Sequence, residues 1–197
     1  MNQSIVINRE YGSGGREIGK IIADKLGMPF FDTKILENTV GKRDLCKDIL
    51  YEFDEKIVGS LIYDISLMAT QNPETIAFPY KMYAAISDTI IEEASKEPCI
   101  FIGRCADVIL KSKNIDFVST FIFSTDKEAK KNRAIAVDGV KAKDVDAYIR
   151  KKDKARRAYQ EFFTNTKFGD YKNYDICLDS SKFGYEKCAD IIIKTLK

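Results

Sequence analysis

The residues Arg9-Glu-Tyr-Gly-Ser-Gly-Gly-Arg-Glu17 hold the most informative chemistry of the chain. They follow the β-branched run Ile5-Val-Ile7 and precede Ile18, Ile21, Ile22 and Leu26, which recur at helical spacing. A glycine turn between a strand and a helix lets successive backbone N–H groups point at one spot, and the helix start adds its positive dipole end. Arg16 places a full charge there. Gly12, Ser13, Gly14, Gly15, Arg16 and Glu17 are therefore the expected phosphate cradle. A tight turn with no ligand is the plainer alternative.

The strict phosphate motifs fit only in part. The dinucleotide pattern GxGxxG requires glycine where Glu17 stands, although Asp32 lies where a ribose-binding acid belongs. In the P-loop pattern GxxxxGK[ST], Gly15 takes the second glycine, Arg16 the lysine and Glu17 the hydroxyl residue. Arginine offers a rigid fork for two oxygens where lysine offers one mobile charge. Glutamate replaces the hydroxyl that normally ligates magnesium. Glu17 is thus the expected magnesium ligand, directly or through water, or else a first-turn acid facing the helix dipole.

A second charged constellation lies at 141–157, where Lys141, Lys143, Arg150, Lys151, Lys152, Lys154, Arg156 and Arg157 outweigh Asp144, Asp146 and Asp153. Arg150, Asp153, Lys154 and Arg157 are three or four residues apart and share a helix face. Such a face can close over phosphates and shield a transferring group from water. A solvated helix with internal ion pairs is the alternative. Nucleic acid is not the expected partner, because the patch is short and lacks interleaved aromatic residues, and the whole chain carries only +2.

These residues need a scaffold. The chain has 197 residues, 45% apolar and 31% charged, which suits one folded, water-soluble domain. The absence of histidine excludes His-based dyads and triads and His-dependent zinc motifs. The start of the chain lacks the pattern of a secretory leader, and no apolar run is long enough to span a bilayer. A cytoplasmic protein without membrane contact is expected. The five cysteines are odd in number and contain no CxxC pair, so reduced thiols are expected. Cys99 and Cys177 fall in predicted strands as small hydrophobes. Cys105 follows Gly-Arg at a strand end, a position also open to a reactive thiol.

Strands are predicted at 5–7, 29–32, 99–104, 117–123 and 174–178. Helices are predicted after the glycine turn, over most of 34–97 with an apolar stripe from Asp48 to Met68, from Ala106, over 127–163 with a break near Asp138-Gly139, and at 185–196. Thr70 to Pro79, with two prolines, is expected to be a loop and Tyr80 to Ser95 a helix. Five apolar strands separated mainly by helices predict an α/β fold, a mostly parallel five-stranded sheet with helices on both faces. Ligands of such sheets bind beyond the strand carboxyl ends, which singles out Gly12 to Glu17, Asp32, Thr33, Arg104 and Ser124 to Asp126.

The opening IVINREYGSGGREIGKIIADKLGMPFFD, the strand IFIGRCADVIL, the segment YIRKKDKARRAY and the ending YDICLDSSKFGYEKCADIII together resemble the cytidylate-kinase-like family. That family is a divergent branch of the P-loop nucleoside monophosphate kinases. The resemblance implies one kinase-like domain with its core at about 1–33, 98–126 and 170–197, a helical acceptor-side region at about 34–97 and a basic helical lid at about 127–169. It implies ATP and Mg2+ as cofactors, with Gly12 to Arg16 on the ATP phosphates. Asp32 and Thr33 match the Asp-Ser/Thr pair of the monophosphate side, and Arg104 matches an arginine that holds the acceptor. Lys152, Asp153 and Arg157 fall on the lid, with Arg157 reaching the phosphates, and Tyr159 replaces a further lid arginine. By the same resemblance Arg16, Arg157 and Asp32 are the catalytic residues.

The chain also departs from the family pattern. Lys34 follows Thr33, Glu37-Asn38 occupy the positions of a Tyr-Arg acceptor clamp, and Cys105 replaces an acid. Lys34 offers a charge near the missing clamp. The expected activity is phosphoryl transfer from ATP to a small molecule, a nucleoside monophosphate such as CMP. A kinase with a non-nucleotide acceptor and a non-catalytic nucleotide-binding protein are the alternatives. Monomer and homodimer are both compatible with the sequence.

Overall fold

The computed structural model describes residues 3–32 and 73–197. Within them, five strands form one parallel sheet in the order β2-β3-β1-β4-β5. The strands are β1 (Ser4–Arg9), β2 (Phe30–Phe31), β3 (Ile100–Ile102), β4 (Phe117–Phe123) and β5 (Ile176–Asp179). Ile7 pairs with Ile102 on one side and Thr120 on the other, so β1 is central. All four pairings are parallel, which demands crossovers and places helices on the sheet faces.

Strand alternation divides the core into two layers. Ile5, Ile7, Ile102 and Ile122 meet Ile18 and Ile22 of α1 (Gly15–Leu26) and Cys188, Ala189 and Ile192 of the C-terminal helix (Tyr185–Ile193). Val6 and Phe101 point the other way, against Ile86 and Ile90 of α2 (Pro73–Lys96) and Ala106, Ile109 and Leu110 of α3 (Ala106–Ser112). Both faces being covered explains the continuous apolar strands.

Two long helices follow β4. Helix α4 (Lys127–Asp138) starts at Asp126, whose carboxylate accepts from the Ala129 N–H at 2.9 Å. It ends at left-handed Gly139, and α5 runs over Val145–Thr164. The break thus falls where Asp138-Gly139 predicts it. Helix α2 begins earlier than its sequence suggests, at Pro73 rather than Tyr80. Proline at the first helical position forfeits no hydrogen bond, and one internal proline removes a single bond from a 24-residue helix. The predicted helix from Asp48 to Met68 lies outside the described residues. Cys99 is buried just before β3, whereas Cys177 lies in β5 but is exposed. No described helix is long and apolar enough to cross a membrane.

At the carboxyl end of β5, Asp179 ties the β4–α4 connection to the short α6 (Ser180–Phe183), which precedes the C-terminal helix α7. Its carboxylate accepts from Thr125 Oγ1 and Ser181 Oγ, both at 2.6 Å, and from both backbone N–H groups. Burial acts to raise its pKa, but these donors outweigh burial and pull it down to about 2. The stabilisation is therefore present above the unfolded value, near 4, and is lost as pH falls through about 2. Asp179→Asn should melt below the wild type at neutral pH, and the gap should close as pH drops towards 2; thermal melts across that range test this.

Candidate active site

The glycine turn leaves β1 at Arg9 and enters α1 at Gly15. Gly12 and Gly14 have φ of 77° and 78°. Ser13 is buried and braces the turn, its hydroxyl and its N–H both donating to the Glu10 carbonyl. No side chain caps the start of α1. The first-turn N–H groups, which lack intrahelical partners, therefore remain available to an anion.

Arg16 lies beside this turn, its Nε 2.7 Å and its Nη2 2.5 Å from Asp32 Oδ2. Asp32, at the end of β2, is buried and fixes the guanidinium in place. Glu17 is engaged by Arg133 of α4. Among the described residues, no group of three acidic, Cys or His side chains is arranged to hold a metal ion.

Helices α4 and α5 close over the turn. Asp153 accepts the Tyr11 N–H at 2.6 Å, and Lys130 reaches Glu10 at 3.0 Å. Arg156 donates to the Arg9 carbonyl at 3.0 Å and lies 5.7 Å from the Tyr11 ring centre. The Tyr11 hydroxyl bonds Asp138, which also accepts from Tyr148. Burial raises the Asp153 carboxyl above its ordinary range, against the opposing pull of Tyr11 N–H, Arg156 and Lys130. Lys152 is exposed over the Tyr148 ring. Arg157 is exposed as well and lines a groove of about 870 Å³ between α4 and α5 with Lys127, Lys131, Arg150 and Lys154. The arginine of α5 that reaches the turn is therefore Arg156.

Two further arginines come from strand ends. Arg9 sends its Nη1 so close to Gly103 that a Cβ there would stand 2.3 Å away. Burial pushes the Arg9 guanidinium well down, and Arg156, Arg104 and Arg16 push the same way while Asp32 opposes. A guanidinium stays protonated in proteins, so the shift marks a buried charge crowded by other cations, a cost that a bound anion relieves. Arg104 follows β3, 4.9 Å from the Tyr159 ring centre on α5. Gly103, Arg104 and Cys105 have φ of 72°, 59° and 58°. A left-handed conformation costs a non-glycine residue about 1–2 kcal/mol, and such strain gathers at functional sites.

Behind this turn, Asp107 of α3 is buried, with Oδ2 accepting from Asn8 Nδ2 at 3.2 Å. Burial raises its carboxyl, against the opposing pull of the Val108 and Asp107 N–H groups and of Asn8. Cys105 is buried beside them, and burial followed by Asp107 raises its thiol, which argues against a reactive thiolate.

The structure thus brings together Gly12 to Glu17, Asp32 and Asp153, sets Arg104 at the neighbouring strand end and leaves Lys152 on the surface. Thr33, Lys34, Glu37, Asn38 and Cys46 lie outside the described residues. Sequence reasoning passed over Arg9, Arg133 and Arg156 as site residues. Arg9 at a strand end and Arg156 one turn from Asp153 were the available signals; Arg133 carried none.

The comparisons agree with this architecture. No curated protein matches the chain. An uncharacterized protein from Eubacterium ventriosum ATCC 27560 has a similar structure, at 27% identity, 98% coverage of this chain, 97% of that chain and a TM-score of 0.73. TT1252 from Thermus thermophilus is similar at 15% identity, with full coverage of both chains and a TM-score of 0.57. Shikimate kinase from Acinetobacter baumannii, solved with shikimate, is similar at 12% identity, covering 100% and 97%, with a TM-score of 0.52. These two likenesses show a shared fold. With the cytidylate kinase-like family matching residues 4–182, most of its length, the chain belongs to that family.

Proposed function

We propose that the protein transfers the terminal phosphoryl group of ATP to a nucleoside monophosphate such as CMP. One observation carries this reading: an uncapped helix start after a glycine turn, with Arg16 in its first turn and Arg16, Arg104 and Arg156 all near enough to act on the Arg9 guanidinium. That concentration of positive charge suits phosphate groups on both donor and acceptor.

Each side chain then has a role. Gly12 to Glu17 offer backbone N–H groups to the donor phosphates, and Arg16 grips their oxygens. Asp32 positions Arg16. Arg104 binds on the acceptor side, where Thr33 and Lys34 are also assigned. Asp153 and Arg156 dock the lid on the turn, and Lys152 and Arg157 add charge along the lid. Glu17 is the residue proposed to hold magnesium, with Arg133 as its competing partner, and the ion when bound would neutralise charge on the donor phosphates. Catalysis rests on positioning and on fixed positive charge around the moving phosphoryl group, with no covalent intermediate.

A coupled ADP-release assay with Mg-ATP and CMP, dCMP, UMP or AMP tests the reading. Turnover that depends on one of these acceptors is expected. ATP binding without such turnover would shift the reading to another acceptor or to a non-catalytic role. Absence of ATP binding would remove the cradle itself.

A further inference from the structure

The groove between α4 and α5 lies outside the phosphate cradle. It encloses about 870 Å³, within the range of small-molecule sites. Six cations and three acids line it, and no residue of the glycine turn does. The same two helices send Arg133 to Glu17 and Arg156 to the Arg9 carbonyl, and neither of these arginines lines the groove.

The charges in the groove are not balanced from within. Lys131 pairs with Glu128 at 3.1 Å and Asp146 at 3.5 Å, and Lys130 pairs with Glu10 at 3.0 Å. Lys127, Arg150 and Arg157 form no ion pair or hydrogen bond among the described residues, and all three are exposed. Ile149 and Ala158 add apolar wall beside them.

We infer that this groove is a second nucleotide site, one that binds a nucleoside triphosphate by its phosphates. Like charges gathered on one concave surface repel one another, and a multiply charged anion relieves that repulsion. The planar forks of Arg150 and Arg157 match phosphate oxygens two at a time, and Lys127 adds a point charge. The volume and the apolar wall leave room for the nucleoside. Asp153 and Lys130 line the groove and also hold the turn, through the Tyr11 N–H at 2.6 Å and Glu10 at 3.0 Å, so the two sites share a wall. The assignment does not depend on which molecule accepts the phosphoryl group.

Calorimetric titration of the full chain with ATP is expected to show two sites. Lys127→Ala/Arg150→Ala should weaken one of them by about 100-fold or more, the loss of two charge-assisted contacts, and change the other less than about twofold. Arg16→Ala should weaken only that other site. In Arg16→Ala, inorganic tripolyphosphate should displace ATP from the groove, because the phosphates carry the recognition. Both groove residues are exposed, so the double variant should fold, and thermal melts check this. The assignment falls if no ATP site of the wild type responds to Lys127→Ala/Arg150→Ala. One site weakened by both this variant and Arg16→Ala would make the groove part of the cradle, which also overturns it. ATP binding that responds to the groove variant and never to Arg16→Ala would overturn the cradle reading and leave this assignment standing.

Discussion

Replacing Arg16 with alanine is expected to lower kcat/KM for phosphoryl transfer by about 100- to 1,000-fold, the usual loss when a fixed donor to developing charge is removed. Arg16 stands in the first turn of α1 and is held by Asp32 through two nitrogens on one oxygen. Its orientation is therefore set before a ligand arrives, which is what makes such a group effective. The substitution has a structural side as well. Asp32 is buried, and it loses this cationic partner when Arg16 is truncated. Arg16→Lys separates the two effects: it restores a positive charge near Asp32 but not the planar fork. It should recover most of the thermal stability and only part of the activity. Steady-state kinetics beside thermal melts on wild type, Arg16→Ala and Arg16→Lys decide the matter. Near-normal turnover in Arg16→Ala would remove Arg16 from the cradle.

The second large effect is expected at Gly14. Its φ of 78° is strained for any residue with a Cβ, at about 1–2 kcal/mol. A Cβ there would also stand 2.2 Å from the Tyr185 ring, at the start of α7. Overpacking of this kind adds about 1–3 kcal/mol. Gly14→Ala should thus distort the turn, weaken ATP binding by at least about 10-fold and lower the melting temperature. Trimming the ring in Gly14→Ala/Tyr185→Ala removes the clash but not the backbone strain, so partial recovery of ATP affinity is expected. Calorimetric titration with ATP measures both variants. Unchanged affinity in Gly14→Ala would mean that the turn does not hold the phosphates in this conformation.

Both effects arise from a feature that is visible in the chain itself. Ile5-Val-Ile7, three glycines and an arginine, then isoleucines at helical spacing, specify strand, turn and helix by local rules, and the structure contains them at Ser4–Arg9 and Gly15–Leu26. The parallel sheet was equally legible, because strands buried on both faces must be apolar along their whole length. So was the break between α4 and α5, since glycine readily takes the left-handed conformation that ends a helix. Pro73 and Pro79 misled because local breaker rules do not register how readily a long helix absorbs one missing hydrogen bond.

The partners of the charged side chains were beyond local rules. Arg156 and Arg157 are adjacent and chemically alike, and only the docking of α5 turns Arg156 to Arg9 and leaves Arg157 in the outer groove. Glu17 looks like a metal ligand in the chain, yet Arg133, more than a hundred residues away, faces it once α4 packs. Nothing in the spacing marks Asp107, and only the fold buries it against Asn8. The strand–turn–helix cradle and the class of fold are written in the chain, because backbone preference and hydrophobic periodicity act between near neighbours. The tertiary structure alone decided which charges converge on the cradle, because electrostatic pairing and burial depend on distances through space that residue spacing does not encode.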